Sequence, residues 1–326
     1  MASEVTILGA GVMGLCVASE LISRGCEIKI IDPKGPPGPH ACSWWAGGML
    51  APDCEGEIAE SLIVRLGRQS ASWWSDHGAD VIQNGSIVVA FDRDKNELTR
   101  FAKRTENHSM LNRDQLFALE PYLGDRFSRA LHMTHEAYID PRQALKALCL
   151  KFKDAGLEIV TEGTPLGHVI DCRGLYANDT LTDLRGVKGE MITLKTAEIC
   201  FSRPVRLLHP RFPLYIVPRA EGLFMLGATQ IESSNRDRAS VRSVMELLNA
   251  AYALHPAFAE AEIVEIGVDA RPAFPDNLPR IYQKNSRIFV NGLFRHGYLL
   301  APAMARMTAE LILDGKTPEV FYEDCD

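Results

Sequence analysis

The chain has 326 residues, a formal net charge of −7 and 46% hydrophobic residues, a composition typical of globular proteins. Its length exceeds one ordinary core, so we expect one large domain or two interleaved ones. The absence of a basic cluster argues against a nucleic-acid partner. No apolar segment reaches the roughly 18 residues that a membrane-spanning helix needs.

Cysteine and histidine spacing excludes several classes of site. The eight cysteines form no CxxC pair, and the nine histidines show no ligand spacing, so we expect reduced thiols and no metal site. The chain enters a strand almost at once, without a signal-peptide pattern. These features predict a cytoplasmic protein.

The first 32 residues predict a dinucleotide-binding unit. An apolar strand leads into a glycine-rich turn, an amphipathic helix and a second strand that ends in an acid. Gly9 suits the tight turn, Gly11 the close approach of a pyrophosphate, and Gly14 the packing of helix on strand. Asp32 is placed to accept hydrogen bonds from a ribose, which argues against NADP. The motif is compatible with FAD and with NAD.

Further elements follow in chain order. A proline-rich loop spans 33–39, and the pattern predicts a helical region over 56–78. Helices are also predicted over 95–106, from Asp140 to Gly156, and over 240–253. Strands are predicted at 85–91, 169–174, 188–194, 214–217, 223–226 and 288–292. The last predicted helix begins beyond Pro302 and ends near Asp314, with its N-terminus directed at the cofactor.

Several short motifs identify a family. They are Ala46–Pro52, Leu119–Pro121, Tyr215–Arg219, Leu226–Thr229, Ala270–Asp276 and Asn291–Pro302. Together they resemble the D-amino-acid-oxidase superfamily of flavoproteins, and within it the glycine oxidases of thiamine biosynthesis. The resemblance covers nearly the whole chain.

The resemblance implies an α/β composite fold. A Rossmann-like FAD-binding domain would comprise residues 1–82, 135–186 and 264–326. An inserted antiparallel-sheet substrate domain would comprise residues 83–134 and 187–263. The C-terminal strand and helix would then return to the first sheet.

The resemblance also implies a reaction. FAD would be bound non-covalently, and glycine or a similar small amine would be oxidised to the imine while O2 is reduced to H2O2. The imine would hydrolyse to glyoxylate or pass to a thiazole synthase. Neither nucleic acid nor a membrane is expected as a partner, and subunits would assemble into a homo-oligomer.

Matched motif positions imply the site residues. Arg271 would bind the substrate carboxylate, Tyr215 would assist through its hydroxyl, and Arg295 would lie beside the flavin. Met49 and Gln230 would line the substrate pocket. The implied cofactor-binding residues are Gly9, Gly11, Val12, Met13, Gly14, Asp32, Pro33, Ser43, Ala46, Gly47, Gly48, Met49, Cys172, Gly174, Arg271, Arg295, Gly297, Tyr298, Leu299 and Leu300.

Two departures from the family pattern bear on these expectations. The segment 161–167 is a shortened version of a hairpin that the family usually carries. Gln230 stands where the compared glycine oxidase has methionine, and a polar amide there would change which substituents are admitted. Sarcosine or a small D-amino acid is therefore the alternative substrate, with an oxidase or a dehydrogenase reaction.

Two rivals from other classes remain at this point. A NAD-dependent dehydrogenase would share the N-terminal motif but lack the C-terminal cofactor-contacting segment. A flavin-binding protein without turnover is disfavoured by Arg271 and Tyr215. Hydride transfer from an amine needs no acidic or histidine base, and no such base occurs at a matched motif position.

Overall fold

The computed structural model describes residues 3–209 and 213–324. Their strands are β1 (Glu4–Leu8), β2 (Glu27–Ile31), β3 (Met49–Leu50), β4 (Ser86–Ala90), β5 (His108–Asn112), β6 (Arg129–Met133), β7 (Ala137–Tyr138), β8 (Ile159–Val160), β9 (His168–Asp171), β10 (Arg185–Lys195), β11 (Val205–Leu208), β12 (Leu214–Pro218), β13 (Leu223–Gly227), β14 (Ile231–Glu232), β15 (Glu262–Ala273), β16 (Arg280–Lys284), β17 (Arg287–Asn291) and β18 (Phe321–Asp324).

The helices are α1 (Val12–Ser23), α2 (Pro52–Glu55), α3 (Ser61–Gly67), α4 (Ser70–Asp76), α5 (Lys95–Arg104), α6 (Arg113–Leu119), α7 (Pro121–Gly124), α8 (Pro141–Asp154), α9 (Val241–Leu254) and α10 (Gly297–Asp314). The helical region predicted over 56–78 is thus two short helices. Within the described ranges, no helix is both long and apolar enough to cross a membrane.

A seven-stranded sheet contains both ends of the described chain. Its order is β18-β16-β17-β9-β1-β2-β8, and all neighbours are parallel except β16 and β17. Because β17 pairs with β9, and β9 with β1, the C-terminal segment returns to the first sheet as predicted. Helices α1 and α10 pack against each other in the adjoining core.

A nine-stranded sheet forms the second layer. Its order is β14-β10-β13-β12-β11-β4-β6-β5, with β15 paired to β10. The expected antiparallel arrangement holds except for β4 and β11, which are parallel. More than a hundred residues separate these two strands (90 to 205), and such a long connection can cross over to give parallel pairing. The α/β composite fold is confirmed.

The predicted domain boundary at residue 264 falls inside β15. This strand pairs with β10 from Glu262 to Ala273, so the backbone on both sides of the boundary belongs to the nine-stranded sheet. Its length escaped the sequence analysis because its exposed start and buried end give no continuous apolar alternation. The division into domains otherwise stays a prediction.

The prediction that the last helix begins beyond Pro302 is wrong. Helix α10 begins at Gly297 and includes Pro302. A proline lacks the N–H that would bond to the carbonyl four residues earlier, here that of Tyr298. The indole Nε1 of Trp74 donates to this carbonyl instead, at 2.9 Å. A side chain from another helix therefore compensates for the missing backbone donor.

Candidate active site

A cavity of about 620 Å³ lies between the two large sheets. Of the predicted site residues, those that line it are Gly9, Gly11, Val12, Met13, Asp32, Pro33, Ser43, Ala46, Gly47, Gly48, Met49, Cys172, Gly174, Tyr215, Gln230, Arg271, Arg295, Gly297, Tyr298 and Leu299. Segments far apart in the sequence thus meet around one space.

Two predicted cofactor-binding residues do not line the cavity. Leu300 is fully buried in the core beneath α10, because the helix turns that side chain away from the cavity. Gly14 packs against the carbonyl of Gly9, and a side chain at position 14 would collide with that oxygen. Gly14 therefore allows α1 to pack closely on β1, as the motif predicts, but it does not contact the space that a ligand would occupy.

The turn after β1 forms part of the cavity wall. Gly9 has φ of +98° and lies close to the carbonyl of Cys172, a conformation and a space that favour glycine. Helix α1 begins at Val12 with no acidic residue in its first turn and no side-chain cap at Gly11. The N–H of Val12 donates to the hydroxyl of Ser43 at 3.3 Å, and the following N–H groups and the positive dipole end are available to phosphates.

Two backbone groups orient the carboxylate of Asp32 at the end of β2. Its Oδ2 accepts a hydrogen bond from the N–H of Ala10 at 2.8 Å, and its Oδ1 accepts from the N–H of Lys34 at 2.9 Å. The partly exposed carboxylate lines the cavity, and it retains lone pairs for a ribose. The oriented acid, the helix N-terminus without an acidic residue and the cavity of about 620 Å³ together fit a dinucleotide.

The Ala46–Met49 segment forms the middle of the wall. Gly47 lies against the ring of Tyr215, which leaves no room for a side chain at position 47. Gly48 has φ of +71° and faces the carbonyl of Ile139. Arg219 donates from Nη2 to the Gly47 carbonyl at 2.6 Å. The segment is therefore fixed between β12 of the nine-stranded sheet and the connection from β7 to α8, and it presents backbone to the cavity.

Arg271 lines the cavity from β15. Its guanidinium lies flat over Gly189, where any side chain would collide with it. Nη1 donates to the carbonyl of Thr229 at 3.0 Å, which fixes the direction of the fork. Such a guanidinium can bind a carboxylate through two parallel hydrogen bonds.

Tyr215 lies beside this arginine on β12. Burial raises the pKa of its phenol, and the positive charge of Arg271 opposes that shift. The hydroxyl therefore stays protonated near neutral pH and can donate a hydrogen bond. Gln230 also lines the cavity, but its side chain is exposed, so it lies where the wall meets solvent.

Glu55 is the main site residue that the sequence analysis missed. Its carboxylate forms ion pairs with Arg295 and, at 3.1 Å, with Arg206. It also contacts Nε2 of His296 at 2.9 Å. Burial would raise the pKa of Glu55, but Arg295, His296 and Arg206 bring it well below its usual range. The sequence signal that could have indicated Glu55 is its position, six residues after the predicted pocket residue Met49.

A second carboxylate lies behind this cluster. Glu136 is buried and accepts hydrogen bonds from the N–H of Cys54, at 2.7 Å, and from the hydroxyl of Ser86. Burial raises the pKa of Glu136 to about 7, although these hydrogen bonds and Arg206 oppose the shift. The Cys54 contact ties α2, and with it Glu55, to the neighbouring sheet.

Comparison with known proteins shows the family. Residues 4–311 match the family described as DAO, FAD dependent oxidoreductase. A putative thiamine biosynthesis oxidoreductase ThiO of Rhizobium etli is 49% identical over 316 residues, which cover 95% of this chain and 96% of that protein. A bifunctional protein ThiO/ThiG of a Nostoc species is 26% identical, over 97% of this chain and 54% of its own length.

A solved structure supports the same fold. Glycine oxidase from Bacillus cereus superposes with a TM-score of 0.83 at 22% identity, and the match covers 97% of this chain and 96% of that one. The family match supplies the identity of the dinucleotide, which the N-terminal motif left open between FAD and NAD. The chain belongs to the DAO family of FAD-dependent oxidoreductases.

Proposed function

We propose that this enzyme oxidises glycine and similar small amino acids to the imine, with O2 reduced to H2O2. The observation that carries the proposal is that Arg271 and Tyr215 line the same cavity as the dinucleotide motif. A substrate carboxylate bound by Arg271 would hold its α-carbon in the cavity that also receives the cofactor. FAD, held without a covalent link, supplies the two-electron acceptor.

The chain's own residues bind and orient the substrate. Arg271 binds the carboxylate through its fork, and Tyr215 donates a further hydrogen bond to it. The fixed Ala46–Met49 backbone limits how the substrate can rotate. The amine must be unprotonated when its Cα–H bond breaks. Two electrons and the α-hydrogen then leave, and hydrolysis of the resulting imine gives glyoxylate and ammonia.

We infer a role in supplying the thiazole branch of thiamine biosynthesis, with transfer of the imine to a thiazole synthase. The names of the two relatives support this: one is a thiamine biosynthesis oxidoreductase, and the other joins a ThiO unit to a ThiG unit in one chain. Homo-oligomer formation and a cytoplasmic location stay predictions.

The first experiment is the absorbance spectrum of the purified protein before and after anaerobic addition of glycine. We expect a flavin spectrum that bleaches with glycine, and H2O2 formation when air is admitted. Bleaching without H2O2 would identify a dehydrogenase. A protein that binds FAD but is not reduced by any small amino acid would contradict the proposal.

A sarcosine or small D-amino-acid oxidase or dehydrogenase is the second candidate. The exposed amide of Gln230 at the cavity wall favours it, because an N-methyl or Cα-methyl group would extend toward a polar, open boundary. We expect Gln230→Met to change the kcat/KM ratios among glycine, sarcosine and D-alanine. Unchanged ratios would remove Gln230 from the determinants of specificity.

A further inference from the structure

Among the residues that the structure describes, five arginines line the cavity. Arg173 and Arg236 are each paired with an aspartate, and one carboxylate, that of Glu55, divides the other three into two groups. Arg206 and Arg295 are both ion-paired with Glu55. Arg271 lines the same cavity, and within residues 3–209 and 213–324 no ion pair involves it. Arg271 therefore has no direct ion pair with a described residue, although Asp269 also lines the cavity and interacts electrostatically with Arg271. Arg206 and Arg295, in contrast, share a carboxylate supplied by the protein.

Glu55 and the three arginines that it divides all interact with the same side chain, that of Tyr215. Arg271, Arg206, Glu55 and Arg295 each influence the phenol of Tyr215 electrostatically. Arg206 and Tyr215 also face each other across the β11–β12 pair. Arg206 therefore connects the Glu55 cluster to the strand that carries Tyr215, and Arg271 lines the same cavity as that cluster.

Glu55 cannot easily leave its partners. Its carboxylate has a third contact with His296 at 2.9 Å. The adjacent N–H of Cys54 is bonded to buried Glu136 at 2.7 Å, which anchors helix α2. A second anionic group on a substrate would have to displace this carboxylate or lie beside it, and both cost free energy in a partly buried site.

We propose that Glu55 determines specificity by restricting the enzyme to substrates with a single carboxylate. Its ion pairs keep Arg206 and Arg295 from forming a second anion subsite, so amino and imino dicarboxylates are excluded. This inference rests on the proposed oxidation of small amino acids. Glu57 also lines the cavity, and no ion pair within the described ranges involves it; it adds negative charge without holding an arginine.

The test compares acids that bind but do not react. Acetate and malonate are titrated against the FAD-loaded protein, and their dissociation constants are read from perturbation of the flavin absorbance. We expect wild type to favour acetate. Glu55→Gln releases Arg206 and Arg295, so the preference should shift toward malonate by about tenfold or more.

Glu57→Gln is the matched control, because it removes the same charge from the same wall without releasing an arginine. Its acetate-to-malonate ratio should stay within about threefold of wild type, since long-range charge effects are screened. An unchanged ratio in Glu55→Gln, or equal shifts in both variants, would overturn the proposal.

A second variant keeps the net charge of the Glu55 cluster unchanged, in case Glu55→Gln alone does not fold. Glu55→Gln/Arg206→Gln leaves the net charge of the cluster unchanged and still frees Arg295, so it too should shift toward malonate; no shift in a folded, FAD-loaded double variant would overturn the proposal. The titration measures equilibrium binding only. A protein that binds acetate but does not oxidise glycine would therefore contradict the proposed function separately.

Discussion

The indole Nε1 of Trp74 donates a hydrogen bond of 2.9 Å to the backbone carbonyl of Tyr298. Both groups are buried, and Pro302 cannot supply the usual helical donor. Trp74→Phe would leave that carbonyl without its partner. We expect a loss of about 1–3 kcal/mol in the free energy of unfolding, measured by chemical denaturation of the FAD-loaded protein.

Trp73→Phe provides the comparison. The Trp73 indole donates to Glu20 at 2.6 Å, at a partly exposed position where water can replace the lost donor. Its loss in stability should therefore be smaller. Equal losses in the two variants would show that ring packing dominates and that the Tyr298 carbonyl does not depend on Trp74.

Gly11 and Gly14 should respond differently to alanine. At Gly11 an added methyl group would meet only the Ser43 hydroxyl, at 3.5 Å, whereas at Gly14 it would collide with the Gly9 carbonyl. We expect Gly11→Ala to fold normally but to bind FAD at least about tenfold more weakly, because the methyl group occupies space that the pyrophosphate needs.

Gly14→Ala should instead destabilise the apoprotein by about 1–3 kcal/mol or more, through overpacking of α1 on β1. Thermal unfolding of both apoproteins and fluorescence titration with FAD separate the two effects. If Gly11→Ala unfolds like Gly14→Ala, the cavity is not open above Gly11.

Arg271→Lys tests the geometry of carboxylate binding. Lysine keeps the positive charge but cannot make two parallel hydrogen bonds. We expect kcat/KM for glycine to fall about 30-fold, equivalent to about 2 kcal/mol, while the flavin content stays that of wild type. A variant with wild-type kinetics would show that charge alone binds the substrate.

Glu136 should make stability depend on pH. Burial raises its pKa from 4.5 to about 7 in the folded protein, so the folded state binds the proton more tightly than the unfolded state. The associated stabilisation is complete below pH 4.5 and is lost as the pH rises through 7. Glu136→Gln stays neutral, so its stability relative to wild type should rise across this window, by at most about 3 kcal/mol.

Urea unfolding of wild type and variant at several pH values measures this difference. Glu120→Gln is a suitable control, because Glu120 is a buried carboxylate already paired with Arg203 at 2.8 Å. Removing that pair should destabilise the protein at every pH in the window. A Glu136→Gln difference that stays constant with pH would show that Glu136 is ionised throughout.

Local patterns allowed the dinucleotide end of the site to be predicted. Gly9, Gly11 and Asp32 lie within one strand–helix–strand unit, so the spacing of residues carries the geometry. The family motifs then predicted Tyr215 and Arg271 as site residues, and both line the same cavity as the dinucleotide motif.

The Glu55 cluster could not be predicted in the same way. Glu55 and Arg295 are 240 residues apart, and Glu55 and Arg206 are 151 apart, so no spacing rule connects them. Their contact depends on how α2, β11 and the turn before α10 are placed by tertiary packing. The beginning of α10 was missed for a related reason. The donor that replaces the missing N–H of Pro302 is the side chain of Trp74 in α4, and this contact between two helices cannot be read from the local sequence.

The pairing of β17 with β9 and of β9 with β1 has a consequence for biosynthesis. A chain made from its N-terminus produces the phosphate-binding turn first, yet the adjoining cavity segment at Gly297–Leu299 is made only after all strands of the nine-stranded sheet. Until then α1 lacks α10, the helix it packs against. A chain interrupted before α10 would therefore carry the dinucleotide motif without the Gly297–Leu299 segment of the cavity and without the helix that packs on α1, so we expect cofactor loading to follow synthesis of α10.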